Sequence, residues 1–555
     1  MKNTPFIYIY LFLTLVQPTY SQAKKVLIIS GSEINSDRII QQIDYNKIIT
    51  HDSIYFKEIK NFRNKLDQLG FIQHFVDSVS KNDSLYYIRF NLSNAIKKIR
   101  IYHPDIITVS KIVNYKIKKR ETYIEIPFIE FSLFMNKISE HYQNNGFAFI
   151  NIKLINLKKN NSHLSGFLKI DKNKKRTIDK IIVKGYTNFP KTFINRKFNL
   201  HSGDLYDKNK IARIPEECNT IDFVSEIKSP ELLYAKDSTV LYLYLKRERS
   251  NYFDGIIGFS SSKEKKGIQL YGNIDLKIKN ALNTGESIKL KWLSNQNKAK
   301  TLDLTLKTPY IFKTAFSTYY KLNIHKQDTL FSSISNLLGA DYRITKNQDI
   351  GFIIERLQSN KTTLLEQSEI RDFNSFFYGT TYTYSKPYNH VVFNTKTYLN
   401  SQVSQGNRNG LTQYKISNKL HYLLILNNKN NILFKNTTEI LLSKDYIKNE
   451  LFRIGGSQSI RGFDENNFLS TGYSYLNTEY NYLTSPYSFL SGIFDLGVVN
   501  NKLLNTTSYL YSFGIGFSQK TKMGQLGIQY FIGNTNTSPF SFSNSKLHLS
   551  VSQNF

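Results

Sequence analysis

The chain has one cysteine, Cys218, in 555 residues. That excludes an internal disulfide and leaves no thiolate set for a metal. Its expected environment is that of a half-buried free thiol. Long apolar runs are missing too. Apart from residues 5–16 (PFIYIYLFLTLV), nothing approaches the roughly 18 apolar residues of a membrane-spanning helix. The ten histidines are scattered, with no HExxH cluster, and there is no GxSxG elbow and no P-loop. No catalytic residue, metal or cofactor is therefore expected, and the chain does not read as an enzyme. Acidic excess is also absent, since the net charge is +31. The basic excess is +17 over residues 1–250 and +14 over the remainder, so it forms no single patch. A diffuse excess of this kind does not predict a nucleic-acid partner.

What is present begins with an export signal. Lys2 supplies a positive charge, residues 5–16 form a short apolar core, and the small residues Ser21 and Ala23 follow. Residues 1–23 are the expected signal peptide. No cysteine lies near the cleavage region, so a lipidated N-terminus is not expected.

From about residue 250 the chain alternates strictly. Ile268, Leu270, Ile274 and Leu276 fall on one face, and Gln269, Asn273 and Asp275 on the other. Ile288, Leu290 and Trp292 alternate with Lys289 and Lys291; Leu526, Ile528 and Tyr530 alternate with Gln525, Gly527 and Gln529. A period of two means strands with one apolar and one polar face. The segments are about ten residues long, as a tilted transmembrane strand requires. Tyr and Phe number 38 and 39, and many sit at strand ends, where aromatic girdles lie. Lipid offers no partner to an open sheet edge, so such strands must close on themselves. Residues 250–555 are therefore expected to form an all-β transmembrane barrel of about 16 antiparallel strands, an even number. The last segment, residues 547–555 (LHLSVSQNF), places Leu547, Leu549, Val551 and the terminal Phe555 on one face, interrupted by Gln553.

Between the signal and the barrel one pattern recurs three times: strand, helical stretch, strand, strand. The expected units are 24–95, 96–176 and 177–249. In the first, a strand at 26–29 precedes a helix at 54–69 that stops at Gly70, then strands at 72–79 and 85–92. In the second, a strand at 99–102 precedes an amphipathic stretch at 131–142 and two strands about the turn at 158–162. The third has a strand at 178–185, two helical stretches, and strands at 223–227 and 240–245. Each unit would be a small sheet covered by helices, an α+β fold with one free sheet edge. An extended polypeptide can add to that edge through main-chain hydrogen bonds. The alternative is that the units are spacers.

One segment is more specific: residues 455–463 (GGSQSIRGF), in a long loop between two barrel strands. It contains Gly455, Gly456, Ile460, Arg461, Gly462 and Phe463. Further segments follow in order: YLNTEY at 475–480, FDLG at 494–497, SFGIGF at 512–517 and MGQL at 523–526; NALNTGE at 280–286 lies earlier. This ordered set resembles the BamA/TamA superfamily of outer-membrane assembly proteins, and the third repeat, with Gly185 and GDLY at 203–206, resembles a POTRA domain. Three β-α-α-β-β POTRA units before a barrel are closer in layout to TamA than to BamA.

The resemblance implies that the loop folds into the barrel lumen, where Arg461 meets acidic residues of neighbouring strands. Glu479 and Asp495 occupy the matching positions. Alternation agrees independently: Glu479 lies opposite Leu476 and Tyr480, and Asp495 opposite Phe494 and Leu496, so both carboxylates point inward. A guanidinium with two carboxylates makes charge-assisted bonds that would clamp the loop. The resemblance also implies a lateral seam between the first and last strands. Gly255 and Gly258 on the first strand and Gln553 on the last are expected to weaken it, and the last strand, with Val551 and the terminal Phe555, resembles the signal by which outer-membrane barrels are recognised for assembly.

The expected function is outer-membrane protein assembly: client polypeptides, unfolded outer-membrane or surface proteins, are received on periplasmic domains and inserted or passed at the seam. The alternative is a two-partner-type translocator for one exported protein, and the third is a passive porin. The other expected partners are the lipid bilayer and a periplasm-spanning protein at the first domain. The expected location is the bacterial outer membrane, with the repeats in the periplasm.

Overall fold

The computed structural model describes residues 25–82, 84–117, 122–261, 268–294, 299–362, 369–457, 459–521, 524–536, 542 and 545–554. The expected signal peptide and Phe555 lie outside the described residues. The chain divides into two compact units. One runs up to Thr177 and includes Leu205–Asn209; the other comprises Ile178–Asp204 and Lys210–Phe555.

The first unit holds two small domains of one design. The first domain is β1 (Lys25–Gly31), α1 (Ile34–Ile40), β2 (Ile48–Ile49), α2 (Asp52–Gln68), β3 (His74–Lys81) and β4 (Leu85–Leu92), with sheet order β2-β1-β4-β3. β1 runs parallel to β4 and the other neighbours are antiparallel. Alternate residues of β1 and β4 bury Leu27, Ile29, Ile88 and Phe90 under Phe62 and Leu66 of α2. The chain turns after α2 at Gly70, φ 95°, where a Cβ would collide with the carbonyl oxygen of Ile96.

The second domain is β5 (Lys98–Tyr102), α3 (Ile106–Val113), β6 (Tyr123–Pro127), α4 (Phe131–Gln143), β7 (Asn151–Asn160) and β8 (His163–Asp171), ordered β6-β5-β8-β7. Its core joins Ile99, Ile101, Ile124 and Ile126 to Val109, Phe134 and Ile138. Two elements in each of these domains, α1 with β2 and α3 with β6, do not show in the repeat pattern. The sequence of α3, IITVSKIV, is rich in β-branched residues that favour strands. Its ends make it a helix: Asp105 accepts from the Thr108 amide at 3.2 Å, and Asn114 stops it in the left-handed conformation.

The third domain, in the second unit apart from the first two residues of α6, is β9 (Lys180–Lys184), α5 (Lys191–Arg196), α6 (Lys208–Ala212), α7 (Ile214–Cys218), β10 (Val224–Tyr234) and β11 (Thr239–Arg247), with sheet order β10-β11-β9. The sheet strands β3, β7 and β10 each lie at an edge.

After it comes a closed barrel of sixteen antiparallel strands, from Tyr252–Ser261 to Ser545–Asn554. Its burial is inverted relative to a soluble protein. Outward positions are apolar and exposed: Ile350, Phe352 and Ile354; Phe513, Ile515 and Phe517; Leu526, Ile528 and Tyr530. Inward positions are polar and buried: Asp341, Arg408, Asn477, Glu479, Asn481, Asp495 and Ser512. Only a bilayer makes that arrangement favourable, because the strands satisfy their backbones through their neighbours everywhere but at the joint between first and last. Among the described residues no helix is long and apolar enough to cross a membrane. The third domain docks on the turns at the strand-entry end. Asn280 Nδ2 donates to Tyr186 Oη at 2.7 Å, Arg196 Nε donates to the Lys313 carbonyl at 2.7 Å, and Phe193 packs edge-on against Tyr310.

Cys218 is fully buried rather than half-buried, because α7 packs it under β10. Burial, with Glu226 and Glu217 near, pushes its thiol up to about 12. Since the thiolate is the nucleophile, native protein at pH 8 should resist alkylation and label only on unfolding. Rapid labelling of folded protein in a mass-shift assay would contradict this placement.

Candidate functional site

The longest described loop after the barrel's midpoint joins strand Asn430–Leu442 to strand Gly472–Ser485. It is built as a hairpin: Phe452–Ile454 pairs antiparallel with Phe468–Ser470. Between these arms lies the glycine-rich segment. Gly455 (φ 116°), Gly456 (φ 101°) and Gly462 (φ 85°) all take the left-handed conformation that favours glycine. Glu465 closes the turn by accepting from the Ser457 amide at 2.8 Å and its Oγ at 2.9 Å.

The hairpin enters the lumen and rests on the inner wall of the strands that follow it. Ile460 is fully buried, against Ile454, Val499 and Leu510. Its Cδ1 lies where a Cβ on Gly497 would be, at 2.8 Å. Gly462 abuts Gly533 so closely that a Cβ on Gly462 would lie 2.7 Å from the Gly533 amide nitrogen. Two facing glycines thus let the loop backbone touch the wall. Phe463 packs edge-on against Phe468 at 5.3 Å.

Arg461 sits at the centre. Its Nε donates to Asp495 Oδ2 at 2.8 Å and its Nη2 to Asp495 Oδ1 at 2.6 Å, a bidentate pair. Nη1 donates to Glu479 Oε1 at 2.6 Å. The Arg461 amide also donates to Asp495 Oδ2, at 3.1 Å, and the guanidinium lies 5.2 Å from the Phe531 ring centroid. Side-chain exposure is 7% for Arg461, 10% for Glu479 and 0% for Asp495. Both carboxylates project inward from adjacent strands, where Asn477 faces Asp495 and Glu479 faces Ile493.

Alternation alone does not reveal several supporting residues. Lys435, on the strand before the loop, approaches Glu479 at 3.7 Å. Asn477 Nδ2 donates to the Ser459 carbonyl at 3.0 Å. Lys546 of the last strand pairs with Asp464 at the loop tip, 2.7 Å. A second attachment lies on the loop's first limb, before the hairpin. Arg408 Nη1 is 2.5 Å from Glu450 Oε1, both nearly buried, and Arg408 Nη2 donates to Asp445 Oδ2 at 3.1 Å. The first contact is an ion pair without hydrogen-bond alignment, since Arg408 Nη1 finds no aligned acceptor. Asn449 Nδ2 donates to Ser359 Oγ at 2.8 Å and the Arg371 carbonyl at 2.9 Å. The loop is therefore tied to the barrel wall at two separate places, one at strands Gln348–Lys361 and Thr395–Arg408 and one at strands Gly472–Ser485 and Ser488–Asn501. Nothing in the local sequence pattern singles out Arg408 or Glu450, whose meeting depends on the closed barrel.

The seam residues are placed as follows. Gly255 and Gly258 lie on the first strand, facing Ile274 and Tyr271 of the second. Val551 lies on the last strand, facing Leu526. Among the described residues the first and last strands meet through three pairs, Tyr252 with Asn554, Phe253 with Gln553 and Asp254 with Ser552. Neither glycine nor Val551 takes part in those pairs.

No protein-family model and no curated protein matches this sequence. Solved structures do. BamA from Haemophilus ducreyi lacking POTRA domains 1–3 aligns with a TM-score of 0.51 at 14% identity, over 83% of this chain and 100% of that one. CdiB from Acinetobacter baumannii aligns at 0.48 and 13% identity, over 90% of this chain and 98% of that one. CdiB from Escherichia coli aligns at 0.49 and 12%, over 93% and 98%. The first match shows the fold: small α+β domains leading into a sixteen-stranded barrel, similar to that BamA structure.

Removing the guanidinium would leave two carboxylates in a confined lumen. Breaking a buried ion pair costs about 3–5 kcal/mol. Arg461→Ala should therefore lower the temperature of the heat-induced gel shift, and Arg461→Lys should fall between it and the native protein. An unchanged shift for Arg461→Ala would show that the loop is held by other contacts.

Proposed function

We propose that this protein is an outer-membrane assembly factor: it takes up extended polypeptide on its N-terminal sheet edges and inserts or passes it at the barrel seam. The observation that carries this reading is the seam. Its three residue pairs compare with ten between the first two strands and nine between the last two. Among the described residues, 255–261 of the first strand and 545–551 of the last have no register partner across the seam. Unpaired backbone in a bilayer is costly and accepts a new strand readily. The clamp supports the same reading, because it holds the wall next to the seam in shape while the seam itself is weak. The edge strands β3, β7 and β10 suit the first step. Phe75 and Val79, Leu157, and Ile227 and Leu233 are exposed along them, giving apolar contacts beside a free edge. In this reading the three domains stand in the periplasm, the clients are unfolded outer-membrane or surface proteins, and no covalent chemistry takes place. Docking of a periplasm-spanning partner on the first domain belongs to the same proposal.

Depletion tests the reading. Broad loss of barrel proteins from the outer membrane is the expected result. Loss of one exported protein alone would replace it with a dedicated translocator, and a change confined to small-solute uptake would overturn it in favour of a porin.

The seam can be tested directly. Asp254→Cys with Ser552→Cys places two thiols on directly paired residues. The one native thiol, Cys218, is buried and does not interfere. Oxidation should arrest client insertion and reduction should restore it. Full activity of the crosslinked protein would exclude the seam as the exit.

A further inference from the structure

The lumen wall opposite the clamp carries a row of cations that, among the described residues, make no ion pair. On strand Ile268–Lys279 the inward face holds Asp275 and Lys277; on strand Ser287–Ser294 it holds Lys289 and Lys291. Asp303 and Lys307 follow on strand Ala299–Thr308, then Tyr319, Lys321 and Asn323 on strand Phe316–Gln327. Most of these charges are matched. Lys291 pairs with Asp275 at 3.2 Å, Lys307 with Asp341 at 3.6 Å, and Asn323 with Asp303. Across the lumen, Lys415 pairs with Glu355 at 3.1 Å and Lys419 with Glu439 at 3.9 Å.

Lys277, Lys289 and Lys321 are different. Among the described residues none of the three has a carboxylate within ion-pair distance; Lys321 Nζ lies 5.2 Å from the Tyr319 ring, with Asp341 and Glu355 acting on it from farther away. They are also in one row. Lys277 faces Lys289 directly, Lys289 faces Thr305, and Thr305 faces Lys321. Like charges directly opposite on adjacent strands destabilise a sheet, so the fold carries this row at a cost. Lys277 is two residues from the end of its strand and Lys289 two from the start of its own. The row therefore lies about 7 Å inside the barrel end on which the third domain docks.

We propose that Lys277, Lys289 and Lys321 form a binding rung for acidic segments of extended polypeptide in the lumen. The spacing fits. Three strand steps of about 4.8 Å make the row roughly 14 Å long, and same-side residues of an extended chain recur about every 6.8 Å. Carboxylates at alternate positions of one strand thus reach both ends. The side chains face the lumen, away from the bilayer, so phospholipid headgroups do not meet them. The inference stands on the lumen wall alone and is independent of whether clients are inserted or secreted.

The test uses purified full-length protein in detergent and two fluorescent peptides, one alternating Glu with Ser and one alternating Lys with Ser, read by anisotropy. The Glu peptide should bind and the Lys peptide should not. Binding should weaken as salt rises from about 0.1 M to about 1 M, where the screening length falls from about 10 to about 3 Å. Lys277→Gln/Lys289→Gln/Lys321→Gln should weaken binding about tenfold with an unchanged heat-induced gel shift. Lys57→Gln/Lys60→Gln/Lys111→Gln, which removes three charges from the N-terminal domains, should leave it unchanged. Should the triple lumen variant not fold, Lys289→Gln alone should weaken binding about two- to threefold. Equal binding of both peptides, equal loss in both variant sets, or displacement of the Glu peptide by equimolar inorganic phosphate would overturn the proposal.

Discussion

The barrel depends on closing a loop inside itself, and the bidentate pair between Arg461 and Asp495 is the contact that makes this possible. A loop of this length, free in solution, would carry a large conformational entropy. Inside the lumen it must also give up water around its backbone. The guanidinium offsets both costs by joining two carboxylates that would otherwise repel each other across adjacent strands. Each charge has its partner, so none is buried alone. Everything near the clamp is shaped around it. Gly462 and Gly533 allow backbone contact, Gly497 makes room for Ile460, and Asn477 holds the turn just before Arg461.

The clamp also explains how a barrel with a weak seam keeps its form. Sixteen strands closed by three residue pairs at one joint form a nearly open sheet there. The loop is tied at one place through Arg408, Asp445, Glu450 and Asn449, and at another through Arg461. Its tip reaches the last strand through Asp464 and Lys546. It spans the lumen as a brace, so curvature is held from within and the seam need not hold it. The lumen then has two unlike walls. One is covered by the loop and filled with small or polar residues; the other is open and lysine-rich.

Much of this was legible in the chain. Period-two alternation placed the barrel, and its inward set included Glu479 and Asp495 because side-chain direction follows from position parity alone. The repeats were legible as strand and helix patterns, since each small core needs its apolar residues at fixed spacing. The helix α3 was not, because β-branched residues dominate it and only its caps reveal it. The second attachment was not legible either. Arg408 and Glu450 lie far apart in sequence, and barrel curvature brings them together. The Lys277–Lys289 pairing required the strand register, which parity does not supply.

The sequence by itself therefore determined the class of architecture and the direction of each strand side chain, because both follow from local period and from what a bilayer permits. The meeting of Arg461 with Glu479 and Asp495 came from the resemblance of the loop motif, with alternation supplying only the inward direction of the two carboxylates. Tertiary structure alone decided the register, and with it three things: how few pairs close the seam, which lysines stand unpaired in one row, and which strands the loop braces. Those are properties of closure, where residues distant in sequence are forced to the same level by the tilt and stagger of a barrel.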